Sequence, residues 1–266
     1  MITERVVSNR YYIGHRVALD GDGAFTGFLA HRSKETQCGH WRSVPIRTRA
    51  GQARAGQGSS SAGSLRVMTE ILLVRHGQSE WNAQGRWQGQ ADPPLSPLGL
   101  QQASTAGEHL TSFDPFDAIA SSTLDRAATT ADTIAEKLGF ETPLRCADLA
   151  ERSAGEWSGL TRDEIDKQYP GYLRQGKYPP GYEPDEELIL RVRRGLRTVA
   201  SELAGERLVV VAHGGVVYCL EAAAGRRFKH LSNLGAVWVT VDGEDVTVGD
   251  RVELLTDGTS TTPTAI

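Results

Sequence analysis

The chain has 266 residues, 39% hydrophobic and 23% charged, the balance of a soluble globular protein long enough for one large α/β domain or a domain with an appendage. No run approaches the ~18 to 20 apolar residues of a membrane span, and Glu4, Asn9 and Arg10 stand where a secretory signal would carry its apolar segment. Neither membrane insertion nor Sec export is therefore expected, and the three scattered cysteines, Cys38, Cys146 and Cys219, with no CxxC pair, fit a reducing cytoplasm.

The net charge of −4 conceals an asymmetry. Residues 1–67 hold 10 basic and 4 acidic side chains, which leaves 19 and 29 for the remainder. A basic front end of this kind suits a nucleic-acid arm or a transit segment. Yet residues 47–64 are Arg, Gly, Gln, Ala and Ser, with too little to bury to offset the entropy of ordering. The only methionines are Met1 and Met68, the second just ahead of the first clear strand. The expectation is that residues 1–67 are disordered or a non-native extension, that Met68 is the natural start, that residues 68–256 form the catalytic domain, and that 257–266 are a disordered tail.

Ile71-Leu72-Leu73-Val74 reads as a strand buried on both faces, ending abruptly in Arg75-His76-Gly77. A polar loop with Gly85, Gln88 and Gly89 and a turn at Asp92-Pro93-Pro94 follow. Ser96-Pro97 is an N-cap with proline in the first turn of a helix over 97–110. A second strand is expected at 116–120, ending in Ser121-Ser122, and then a helix over 124–138 closed by Gly139. The alternation of strand and helix signals a parallel sheet covered on both faces, a three-layer α/β sandwich with a mostly parallel centre.

The stretch 149–184 is irregular, with a short helix near 161–169 inside a long excursion of the kind that forms functional lids. Its Lys167, Tyr169, Tyr172, Arg174, Lys177, Tyr178 and Tyr182 are candidate substrate contacts. Leu188, Val192, Leu196, Val199 and Leu203 then mark an amphipathic helix opened by Asp185, Glu186 and Glu187, with Arg191, Arg193, Arg194 and Arg197 read as a solvated face. A second buried strand, 208–212, also ends in a histidine and glycines, His213-Gly214-Gly215, before a helix over 216–224. Strands at 236–241 and 246–255, turning at Asp242-Gly243, close the domain. His15, His31, His40, His109 and His230 lack ligand-like spacing and are read as surface residues.

Two strands that each deliver a histidine at their carboxyl ends place both on the side of a parallel sheet where ligands bind. Arg126 sits in the first turn of its helix, against the helix dipole, and should answer to something negative in front of it; Arg75 beside His76 says the same. Glycines at strand ends and helix starts, Gly214 among them, leave N–H groups to point at an anion. The joint reading is a pocket for a phosphate-like dianion. Neutral imidazole is nucleophilic near pH 7 without a partner base. His76 can thus attack phosphorus while Arg75, Arg126 and His213 hold the equatorial oxygens, and Glu151 is the best-placed acid for the leaving oxygen.

These residues resemble the histidine phosphatase superfamily, the phosphoglycerate mutase-like group. The resemblance rests on Val74-Arg75-His76-Gly77 with Ser79-Glu80-Trp81-Asn82, on 95–103 with Gly99 and Gln102, and on Ser121-Ser122 to Arg126 with Thr130-Ala131. Glu151 with Gly155-Glu156-Trp157-Ser158-Gly159, and 211–215, complete it in the family's order. It implies a phosphohistidine on His76, phosphoryl contacts from Arg75, Arg126 and His213, Glu151 as proton donor and then base, and Asn82, Gln88 and Gly89 at the pocket rim. It implies no metal and no cofactor. Mutases of the family carry a tyrosine shortly after the catalytic Glu-Arg pair and a longer basic insertion; here stand Ala154-Gly155-Glu156-Trp157 and a short excursion. The expected activity is phosphomonoester hydrolysis, with a mutase or related phosphotransferase as the alternative and a non-catalytic phospholigand-binding protein as a further one. The expected partner is a small phosphorylated metabolite, not nucleic acid or membrane, and a homodimer is left open.

Overall fold

Ile71, Leu72, Leu73 and Val74 are fully buried, and their alternation explains the layers around them. The computed structural model describes residues 68–255 and 258–263, together with two short strands, β1 (Val17–Leu19) and β2 (Phe25–Gly27), which pair antiparallel. That hairpin lies in a stretch whose sequence showed no sustained period. The rest of 1–67, and with it the expectation of disorder or a non-native start, falls outside the described residues.

The strand after Met68 is β3 (Thr69–Arg75), followed by the one-turn helix α1 (Glu80–Ala83) and by α2 (Pro97–Leu110). Then come β4 (Ala118–Ser122), α3 (Asp125–Leu138) and the short edge strand β5 (Leu144–Cys146). The excursion holds α4 (Arg162–Gln168) and α5 (Tyr172–Gln175), and α6 (Asp185–Glu202) leads into β6 (Arg207–Ala212) and α7 (Gly214–Ala223). The hairpin β7 (Gly235–Asp242) and β8 (Asp245–Glu253) closes the sheet, with Gly243 at φ 58° in its turn.

Strand order is β5-β4-β6-β3-β7-β8. The first four strands are parallel, and β7 and β8 are antiparallel. One face of the sheet, with Ile71, Leu73, Leu208 and Val210, packs on Leu188, Val192, Leu196 and Val199 of α6 and on Val216, Val217 and Leu220 of α7. The other face, with Leu72, Val74, Val209 and Val211, packs on Ala106 and Leu110 of α2 and on Ala127, Ala131 and Ile134 of α3. A period of two with both faces covered is why these strands read as continuous apolar runs.

Local signals set the helix ends as expected. Ser96 accepts Gly99 N–H with Pro97 in the first turn, Gly139 ends α3 at φ 76°, and Thr161 and Glu164 form a capping box on α4. The register carries Arg75 opposite Ala212, and His76 N–H donates to the Ala212 carbonyl at 3.0 Å, so His76, His213 and Ser122 emerge at one end of three adjacent strands.

Two expectations need correction. The C-terminal segment was read as disordered from 257, but Thr259 and Thr261 are tied down. The Gln102 amide donates to the Thr259 carbonyl at 2.7 Å, Asn233 N–H donates to the Thr261 carbonyl at 2.8 Å, and Pro263 is buried. Hydrogen bonds to Gln102 and Asn233 hold it together with the burial of Pro263, partners distant in the chain that composition does not register. Arg191 is not on a solvated face: its guanidinium donates to the carbonyls of Asp148, Ala150 and Glu151 and pairs with Glu183 at 2.6 Å. Arg194 and Arg197 do make outward pairs, with Asp148 and Glu244. His109 is half-buried, its Nδ1 2.9 Å from the Leu254 carbonyl. Among the described residues no helix is long and apolar enough to cross a membrane.

Candidate active site

His76 is 2% exposed, and its orientation is fixed by its neighbours. Nδ1 lies 2.6 Å from the Gly77 carbonyl oxygen, which can only accept, so Nδ1 carries the proton and Nε2 carries the lone pair. Gly77 N–H in turn donates to Thr130 Oγ1, and the Asn233 amide donates to the His76 carbonyl at 3.0 Å. Arg126 Nε–H faces His76 Nε2 at 3.3 Å. Burial, and then the guanidiniums of Arg126 and Arg75, hold the imidazole pKa well below its usual 6.5, so the ring is neutral at physiological pH.

His213 stands edge-on to His76 with ring centroids 5.2 Å apart. Its Nε2 is 2.8 Å from Ser122 Oγ, and that hydroxyl already accepts Leu124 N–H. This suits a tautomer with the serine proton on Nε2 and the ring proton on Nδ1. His213 is also held well below the usual imidazole pKa, by burial first and then by Arg126. The consequence for stability has a definite sign. Both folded pKa values lie below the unfolded ~6.5, so below that pH the unfolded chain binds more protons and the fold is destabilised progressively on acidification. The urea midpoint should therefore fall between pH 7 and pH 5, less so in His213→Gln; a flat profile common to both proteins would show that the ring is not held neutral.

Arg126 is fully buried, its pKa lowered by burial to about 10, so it stays a cation. Two of its nitrogens donate to the carbonyls of Ala91 and Gly89 at 2.8 Å, and Asp92 lies 3.5 Å away. Asp92 also accepts Asp125 N–H at 2.9 Å, which caps a helix whose own N-cap, Leu124, has no acceptor. The negative group expected in front of Arg126 is thus supplied in part by Asp92, which the sequence had marked only as turn. Arg75 donates to the Leu231 carbonyl at 2.6 Å.

Glu151 faces the histidines from the irregular segment after β5. Its carboxyl oxygens accept Arg152 N–H at 2.7 Å and Gly215 N–H at 3.1 Å. A Cβ at Gly215 would overlap the Glu151 carboxylate, so a larger residue there would push that carboxylate out of place. Arg191 fixes the backbone beneath by gripping the carbonyls of Asp148, Ala150 and Glu151. Gly214 and Gly215 open α7, so the positive end of its dipole points at the same space.

A cavity of about 50 Å³ is lined by Arg75, His76, Gln88, Gly89, Glu151 and Gly214 of the expected set, while Arg126 and His213 do not line it and instead pack against His76. At roughly 10–15 Å³ for each water this is room for one phosphoryl-sized group. Gly89 needs its positive φ of 54° and leaves no space for a Cβ against Ala154. Asn82 does not line this cavity. It is buried beneath the loop, where its carbonyl oxygen accepts Ser79 N–H and the Asn233 amide. Arg75 Nε, Asn82 Nδ2 and His213 Nδ1 are buried nitrogens with no hydrogen-bond partner among the described residues. Leaving a buried donor unmet costs about 1–3 kcal/mol, so the unmet donors of Arg75, which lines the cavity, and of His213, whose ring adjoins His76, suit an acceptor-rich anion. No cluster of His, Cys, Asp or Glu among the described residues could hold a metal ion.

The sequence did not single out Asn233, Thr261 or Gln102 as a group. The first two carry no motif, yet Thr261 Oγ1 accepts the Gln102 amide and donates to Asn233 Oδ1, and Asn233 reaches His76 and Asn82. The tail thereby braces the loop that carries His76.

The profile of the histidine phosphatase superfamily (branch 1) matches residues 71–249. The chain belongs to that superfamily. It is 36% identical over 153 residues to an uncharacterized phosphatase PhoE of Bacillus subtilis, covering 58% of this chain and 76% of the relative. It is 37% identical over 157 residues to a metal-independent phosphoserine phosphatase of Arabidopsis thaliana, 56% of this chain and 66% of the relative. Its fold is similar to that of a mycobacterial glucosyl-3-phosphoglycerate phosphatase complexed with VO3, at a TM-score of 0.58 and 30% identity, covering 68% of this chain and 96% of that one.

Proposed function

We propose that this histidine phosphatase hydrolyses a small phosphomonoester in two displacements at His76. The observation that carries the reading is the neutral His76 imidazole, with its Nε2 lone pair directed away from a fixed Nδ1–H and toward the buried Arg126 Nε–H at 3.3 Å. In the first step Nε2 attacks phosphorus in line, Arg75, Arg126 and His213 stabilise the equatorial oxygens, and the bond to the leaving oxygen breaks as that oxygen takes the Glu151 proton. Arg126 Nε–H, held only at 3.3 Å from Nε2, turns to the phosphoryl group as the lone pair is used. In the second step Glu151, now a carboxylate, takes a proton from water; the resulting oxygen attacks phosphorus, the P–N bond breaks, and the electron pair returns to Nε2.

The relatives named for phosphoserine and for glucosyl-3-phosphoglycerate act on esters of very different size, and a small phosphorylated metabolite is the expected partner here. Buried free cysteines at 146 and 219 agree with work in a reducing cytoplasm. The reading is tested by steady release of inorganic phosphate from a phosphomonoester with no added bisphosphate. Strict dependence on a bisphosphate primer, with transfer of the phosphoryl group to a second alcohol, would identify a phosphotransferase instead.

A further inference from the structure

The inner cavity has room for the phosphoryl group and little more, so the alcohol portion of the ester has to lie outside it. Two larger cavities adjoin it. One, of about 430 Å³, shares Arg152 and Tyr218 with the inner cavity; the other, of about 580 Å³, shares Trp87 and Tyr182.

Charge separates the two. In the first, carboxylates answer the cations: Asp185 pairs with Arg152 at 2.6 Å, and Glu221 lies 3.9 Å from Arg226 and 2.5 Å from Arg251. In the second, Arg162, Lys177 and His230 contribute to a lining that contains no Asp or Glu, and neither Arg162 nor Lys177 forms an ion pair with a described residue. The lining thus carries cations and no carboxylate of its own.

The walls of the second cavity are aromatic. Tyr178 stacks on Tyr182 at 4.2 Å and 11°, and both Tyr178, at 56%, and Phe228, at 60%, leave large apolar faces in solvent. Exposed aromatic faces beside a cleft fit a ring laid against them. The neck is stiff: Trp87 N–H donates to the Leu160 carbonyl at 2.9 Å, and the Trp87 carbonyl accepts Gly159 N–H at 2.7 Å. Arg86 adds a bond to the Gly159 carbonyl at 2.6 Å. The C-terminal segment supplies Thr262 and Pro263 to the same lining.

We infer that the cavity beyond Trp87 and Tyr182 is the leaving-group subsite, shaped for a phosphomonoester whose alcohol portion carries a ring-sized body and a second negative charge. The inference rests on the hydrolase reading and names the substrate class for the same site. The leaving oxygen stays beside Glu151, the ring lies along Tyr178 and Phe228, and the distal anion meets Arg162 and Lys177.

The test compares carboxyphenyl phosphate with its carboxamide isostere, which has the same ring and a similar leaving oxygen but no second charge, and uses phenyl phosphate as reference. The wild-type protein should favour the carboxylate about five- to tenfold in kcat/KM at low salt, a preference that shrinks as salt screens the exposed cations. In Arg162→Ala/Lys177→Ala the preference should fall to near one, with kcat/KM for phenyl phosphate within twofold of wild type. Phe228→Ala should lower kcat/KM for the aryl esters and leave glycerol phosphate unchanged. Equal turnover of carboxylate and carboxamide, or a preference that survives the double variant, overturns the subsite while hydrolysis itself stands. Absence of turnover with all esters, in a protein whose fold is intact, removes the hydrolase reading and the subsite with it.

Discussion

Replacing His76 with alanine is expected to lower kcat by about four orders of magnitude or more, whichever ester is used, because both displacements run through its Nε2. The effect should appear in kcat, since Arg75, His213 and the start of α7 still hold the phosphoryl group. A second readout ties the loss to chemistry. The wild-type protein, quenched during turnover, should carry phosphate in a bond that survives alkali and is lost in acid, as expected for phosphorus on imidazole nitrogen, and the variant should carry none. The variant also leaves Arg126 Nε without its acceptor in a fully buried position, so circular dichroism and the urea midpoint have to be recorded beside the rate. A folded His76→Ala protein that hydrolyses esters at the wild-type rate would remove His76 from the role of nucleophile.

The parts of the site legible in the sequence were those attached to a strong local signal. His76 and His213 follow the two most apolar strands, Arg126 stands at the wrong end of its helix, and the glycines mark turns where a side chain would collide. Residues that act through partners distant in the chain were hidden. Asn233 reaches His76 across 157 residues, and Thr261 reaches Gln102 across 159, with no periodicity to mark either. Arg191 could have been found. It lies three residues after Leu188 and four before Gly195, both buried, which puts it on the inward stripe of α6. A long guanidinium on such a stripe has to reach carbonyls, and those it reaches lead up to and include that of Glu151. The family resemblance is what puts Asn82 at the rim, and the capping box that ties its carbonyl oxygen to Ser79 N–H is a local bond the motif alone does not announce.

Glu151→Gln should separate the two displacements. Protonation matters most when the leaving group is an alkoxide, so alkyl phosphates should lose about 10²- to 10⁴-fold in the first step. The p-nitrophenolate ion departs without a proton, and p-nitrophenyl phosphate should still phosphorylate His76. The second step is slowed for every ester, because water has lost its base while the P–N bond still has to break. The variant should therefore release a burst of nitrophenol stoichiometric with enzyme and then stall as the phosphorylated form. Alkyl esters should give no burst and no trapped phosphate. The carboxamide also turns one N–H group toward a backbone N–H, since Arg152 and Gly215 both donate to position 151, so some displacement of the side chain is expected. Displacement alone would depress both classes of ester alike. A burst confined to the nitrophenyl ester is the signature of a lost proton carrier, and equal losses without a burst would reduce Glu151 to a residue that shapes the pocket.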